Sequence, residues 1–142
     1  MILWRVSAFA DLSGAGGLHV SGRWHSQGKP IVYASESVAL ALLEVLTQVE
    51  DRLDLPPDYQ LLRIEGDDGM AVARWDDPLP GLEDSRAWGD RWLAEGVTPL
   101  ASVPAAVAPH SRNWLINPAH SDMRELRLAG AEQWAWDTRL LP

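Results

Sequence analysis

The sequence predicts an α+β fold: one domain with a mixed β-sheet core and few helices. Three observations carry that prediction. At 142 residues the chain has room for one core and too little for two. Short strand-like segments outnumber helical ones, and their order is irregular, unlike a regular βαβ succession. Composition is globular, 46% apolar and 23% charged, and cysteine is absent, so the core forms without disulfides or thiolate metal sites.

Taken in order, Ile2 to Val6 reads as a short strand, and the glycine-rich stretch from Asp11 to Gly22 as a loop. Ile31 to Ala34, entered after Pro30, is a second strand. Ser35 or Ser37 caps a helix running to about Val49, with Val38, Leu42, Val45 and Val49 on one face. Pro56-Pro57 interrupts the chain. Tyr59 to Glu65 alternates as a strand does, and Gly66 to Gly69 reads as a turn. Ser85 is placed to cap a short helix that carries Trp88 and Trp92 and ends at Gly96. Pro99 to Pro109, Trp114 to Ile116 and Glu125 to Leu128 supply further short strands.

Charge is unevenly distributed. Of a net −8, the whole excess lies in residues 50–95, which hold thirteen acids against five bases. No basic stripe exists for a nucleic-acid duplex. The acidic segment reads as a solvated face or as a docking surface for a basic partner. Eight tryptophans, against two tyrosines and one phenylalanine, are expected mostly in the core, with one or two at a partner surface. No uncharged apolar stretch is long enough to span a bilayer, and Met1 to Trp4 meets Arg5 without a basic leader region. A soluble cytoplasmic protein is the expectation.

Familiar signatures fail one by one. Gly14-Ala15-Gly16 begins a dinucleotide fingerprint, but the next required glycine falls on His19. There is no phosphate-binding loop with its lysine, and no serine-hydrolase elbow. His19, His25, His110 and His120 have no metal-ligand spacing, so no metal is expected. Four residues are left unexplained. Glu44 is the only ionisable side chain between Ser37 and Val49, and reads alone as a half-exposed helix glutamate. Arg5 interrupts an apolar strand and needs an anion or an ion pair; Arg23 sits in a loop; Tyr33 lies in a strand and could simply pack.

In order along the chain, Leu3-Trp4-Arg5, Gly22-Arg23-Trp24-His25, Val32-Tyr33-Ala34-Ser35 and Leu43-Glu44-Val45-Leu46 resemble the RES-domain toxins of RES–Xre toxin–antitoxin modules. Trp88-Gly89-Asp90-Arg91-Trp92-Leu93, Val103-Pro104, the run from Asn113 to His120, and Asp137-Thr138-Arg139-Leu140 extend the resemblance over nearly the whole chain. It implies a fold like that of ADP-ribosyltransferase toxins, with NAD+ as substrate and no metal. The implied activity is cleavage of the nicotinamide–ribose bond and transfer of ADP-ribose to a host protein, arresting growth. NAD+ hydrolysis or phosphorolysis is the alternative, and a non-enzymatic interaction protein the second. The implied partners are an Xre-type antitoxin that blocks the site and a host acceptor protein, with neither nucleic acid nor membrane.

The chemistry assigns roles by side-chain type. Glu44, Arg5 and Tyr33 are the expected catalytic residues, and Arg5, Arg23, Tyr33 and Ser85 the expected NAD-binding set. A departing neutral nicotinamide leaves positive charge on the ribose, which a fixed carboxylate stabilises. A pyrophosphate wants the planar donor fork of arginine, and an aromatic ring can wall the nicotinamide. The family's name also includes a serine, often in a Val-Pro-Ser segment. Here that segment reads Val103-Pro104-Ala105, which makes Ser85 the substitute candidate. Asn117 and His120 match the family as well as they match an Asn-Pro turn.

Overall fold

The computed structural model describes residues 1–140. Its strands are β1 (Ile2–Ser7), β2 (Val32–Ser35), β3 (Gln60–Gly66), β4 (Val72–Arg74), β5 (Leu100–Pro104), β6 (Arg112–Ile116) and β7 (Leu126–Glu132). They form one seven-stranded sheet in the order β4-β5-β6-β2-β1-β3-β7. The β4–β5 pair is parallel and the other neighbours are antiparallel, so the sheet is mixed, as expected. Two helices accompany it, α1 (Val38–Leu46) and α2 (Leu82–Glu95).

Cross-strand register sorts the core into two faces. Leu3 opposite Ile64, and Val32 opposite Ile116, put one apolar set together with Ala34, Leu100, Met70 and Leu126. Ala101, Val103 and Leu115 point to the other face and bury against Trp24, Ile31 and Trp92. Trp24, Trp75 and Trp88 meet edge to face at 5.6–5.8 Å, the arrangement that ring quadrupoles favour. Five of the eight tryptophans lie in or against these clusters, in line with expectation. Trp24 and Trp92 are buried outright; Trp75, Trp88 and Trp114 pack at the margins of the clusters, and Trp4, Trp134 and Trp136 are half-exposed.

Helix α1 starts where Ser37 accepts a hydrogen bond from the Leu40 amide at 3.1 Å, a cap that contributes about 1 kcal/mol. It ends at Leu46, short of Val49, and buries Leu40, Ala41 and Val45, a face rotated from the one the apolar spacing suggested. Helix α2 ends at Gly96, whose φ of 60° is the left-handed conformation that a helix C-cap favours. Its start differs from expectation: the cap is Gly81, and Ser85 lies inside the first turns. β4 has no counterpart in the sequence reading, since three residues are too few to show alternation. β5 stops at Pro104 rather than Pro109, because proline cannot extend the ladder.

Among the described residues, no helix is long and apolar enough to cross a membrane. Most carboxylates of residues 50–95 stand exposed; Asp90, half-buried on α2, is an exception used for structure.

Candidate active site

β1 and β2 are neighbours through a single residue pair, Trp4 opposite Ser35. Beyond it the strands diverge, and a cavity of about 390 Å³ opens along the gap, a size suited to a small molecule. Its wall draws on β1, the segment Gly22–Trp24, β2, α1, Tyr59 and the facing ends of β5 and β6. Arg5 bridges the gap, donating from Nη1 to the Tyr33 carbonyl at 2.8 Å. Burial pushes its pKa down, partly offset by Asp11, yet guanidinium remains the charged form at neutral pH.

Arg5, Arg23, Tyr33 and Glu44, singled out separately in the sequence, all line this cavity. Neither arginine forms an ion pair among the described residues. Arg23 donates from Nη2 to the Pro80 carbonyl at 2.9 Å, while its Nε is buried without an acceptor.

Tyr33 is more constrained than a free aromatic wall. Its hydroxyl accepts from the Trp24 amide at 3.1 Å and meets His25 Nδ1 at 2.7 Å. The Gly22 amide also donates to His25 Nδ1, so that nitrogen is the acceptor and the tyrosine hydroxyl donates to it. Burial raises the Tyr33 pKa well above the ordinary tyrosine value. The ring therefore belongs to the cavity, while the hydroxyl ties the Gly22–His25 turn to β2.

Ser85 does not line the cavity. It is fully buried on α2, and its hydroxyl donates to the Arg23 carbonyl at 2.6 Å and leans toward Leu82 O at 2.9 Å. Neighbouring residues on the same helix face repeat the pattern. Arg86 Nε donates to Gly22 O at 2.8 Å, and Asp90 accepts from the Ser26 amide and hydroxyl at 2.8 and 2.6 Å. Between them the Trp24 backbone presses so closely on Gly89 that a Cβ there would stand 1.6 Å from Trp24 O. The arginine-bearing loop is thus hung on α2 by its own backbone.

Glu44 is held differently. Asn113 Nδ2 donates to Glu44 Oε1 at 2.9 Å, and the Ser35 hydroxyl donates to Asn113 Oδ1 at 2.8 Å. Ser35 and Asn113 both line the cavity, and the sequence reading missed both as site residues. Their signal was positional: each belongs to an ordered block, but only the register of β2 against β6 brings them opposite one another. Ala105, where the Val-Pro-Ser serine would fall, is buried, and its neighbours Pro104 and Ala106 line the cavity instead. Asn117 and His120 serve the turn after β6: Asn117 Oδ1 accepts from Ala119 N, and His120 caps the 3₁₀ turn at Ser121–Glu125. No cluster of three or more metal-ligating side chains occurs among the described residues.

The fold and site define an α+β protein whose sheet is joined at β1–β2 by one residue pair, with two arginines and a glutamate lining the adjoining cavity. Residues 2–138 match the model of the RES domain, and the chain belongs to that family. It is 44% identical over 145 residues to "Toxin Res" of Pseudomonas putida, covering 99% of each chain. It is 34% identical over 155 residues to the "Prs ADP-ribosylating toxin" of a Sphingobium species, covering 97% of this chain and 95% of that one. Its fold is similar to a chain of the M. tuberculosis MbcT–MbcA toxin–antitoxin complex, with a TM-score of 0.72 at 18% identity. That likeness covers 92% of this chain and 81% of the other. The family inferred from the ordered blocks is the family found.

Proposed function

We propose that this protein is the toxin of a toxin–antitoxin pair and that it cleaves NAD+ at the nicotinamide–ribose bond, passing ADP-ribose to a host protein. The observation that carries the reading is the cavity between β1 and β2, which Arg5 and Arg23, in no ion pair among the described residues, line together with Glu44. The name of the Sphingobium relative, an ADP-ribosylating toxin, supports it.

In this mechanism Arg5 and Arg23, both in the cavity wall, bind the pyrophosphate. The Tyr33 ring walls the nicotinamide. As the carbon–nitrogen bond breaks, its electron pair leaves with neutral nicotinamide and positive charge develops on the ribose. Glu44 stabilises that charge as a fixed anion, and the acceptor nucleophile then bonds to the ribose carbon and gives up its proton to water. No covalent enzyme intermediate is needed.

An antitoxin follows from the activity, since free toxin consumes its own host's NAD+. We infer an Xre-type partner that covers the cavity, meeting its wall at Gly22, the end of the Gly14–Gly22 loop that lines it. The exposed acidic stretch between Glu50 and Asp84 would steer a basic partner at long range, an effect that salt weakens.

The test is to offer NAD+ labelled in its adenylate half to a host lysate and to follow nicotinamide. Label on a discrete protein band with nicotinamide release is the expected result. Label confined to free ADP-ribose, or to its phosphorylated form, replaces transfer with hydrolysis or phosphorolysis. Absence of nicotinamide release with lysate present overturns the NAD+ reading.

A further inference from the structure

We propose that Asn113 is a positioning residue for Glu44, with its amide oriented in turn by the buried hydroxyl of Ser35. The inference rests on the NAD+-cleaving reading and deepens it. A glutamate on a half-exposed helix face has many accessible rotamers, and a carboxylate that stabilises charge must already be in place when the charge forms. Among the described residues, the hydrogen bond from Asn113 at 2.9 Å is the one side-chain contact of this kind that Glu44 makes.

The chain of contacts has a defined direction. An ionised carboxylate takes only donors, so Asn113 must turn its amide nitrogen toward Glu44 and its carbonyl away. The carbonyl then faces Ser35, whose hydroxyl donates to it at 2.8 Å. Ser35 is 4% exposed and stands directly opposite Asn113 in the β2–β6 ladder. β6 runs between β5 and β2 in the interior of the sheet, so the anchor is among the best-supported parts of the molecule. A mobile helix side chain is thereby referred to the sheet.

The arrangement also divides the carboxylate. Asn113 occupies Oε1, and Oε2 has no hydrogen-bond partner among the described residues. One oxygen is used for orientation and the other remains for substrate. Although both residues line the cavity, the role proposed for them is exerted through Glu44 and is one of positioning.

The decisive measurement is a mutant cycle on nicotinamide release. Asn113→Ala should lower kcat about 10- to 100-fold, as misplacement of a reacting group does, with KM within about twofold. In a Glu44→Ala background the same change should cost nothing further. An equal loss in both backgrounds, or a loss carried by KM, overturns the proposal. If Asn113→Ala does not fold, Ser35→Ala serves: a loss of several-fold in kcat, abolished in the Glu44→Ala background, is expected. A readout without turnover separates this proposal from the NAD+ reading. The Asn113 side-chain amide protons should shift in NMR spectra on Glu44→Ala, and unchanged resonances overturn the contact whatever the protein does to NAD+.

Discussion

The two walls of the cavity are built by opposite means. On the arginine side, the segment Gly22–Ser26 is fixed through its backbone: carbonyls of Gly22 and Arg23 and the amide of Ser26 bind side chains of α2. On the glutamate side, the helix is fixed and the working side chain is held by other side chains, Asn113 and behind it Ser35. The difference matters for function. A loop held by its backbone keeps its shape whatever side chain it displays, so Arg23 lines the cavity without having to hold the loop. A side chain held by side chains is rigid itself, which suits a group that must not reorganise during reaction. Damage to the first wall should therefore appear in binding, and damage to the second in turnover.

The largest expected effect tests the second wall. Glu44→Ala should lower kcat about 10²- to 10³-fold, the typical loss for one preorganised electrostatic group. Glu44 is half-buried and its neighbour Leu43 is exposed, so the fold should keep its stability. Steady-state kinetics beside a thermal melt checks both halves. A folded Glu44→Ala protein with full NAD+ cleavage would remove the residue from the site and end the contrast between the walls.

Next in size is Gly89→Ala. The new methyl would stand 1.6 Å from the Trp24 carbonyl, which is backbone and cannot swing aside. Helix and loop must separate, and overpacking of this kind costs about 1–3 kcal/mol or more. The displaced loop carries Arg23, so KM for NAD+ should rise about tenfold while kcat changes little. Denaturant melts and the KM measured together decide it. Unchanged stability would mean that α2 and the loop are not in register as described.

Much of this was legible in the sequence, and the gaps have physical causes. The Ser37 cap and the Gly96 stop are local signals and placed one end of each helix. Arg5 and Glu44 stood out as charged residues in apolar segments, Arg23 and Tyr33 only through the family resemblance, and the four share one cavity. The Asn113–Ser35 pair was invisible because it depends on strand register across 78 residues of chain. β4 was missed because parallel pairing with β5 sustains a strand of three residues that has no pattern of its own. Ser85 was misread in a more instructive way. A lone serine before an aromatic helix reads as a cap or a ligand, and only the packing of α2 on the loop reveals a strut.

That strut gives the smallest and most discriminating prediction. Ser85 is fully buried, and alanine fits the same helical position without strain. Ser85→Ala nevertheless leaves the Arg23 carbonyl without its donor, a buried deficit of about 1–2 kcal/mol. Helix and loop remain packed through Gly89, and Arg86 and Asp90 keep their bonds to Gly22 and Ser26, so the loop should loosen rather than detach. The expected result is a modest loss of stability, a KM for NAD+ raised several-fold and an unchanged kcat. A serine that touched substrate would behave in reverse, lowering kcat at constant stability. Measuring the melt, KM and kcat on one preparation of Ser85→Ala therefore distinguishes a strut behind the arginine wall from a reactive hydroxyl in it, and the second outcome would require the wall to be redrawn.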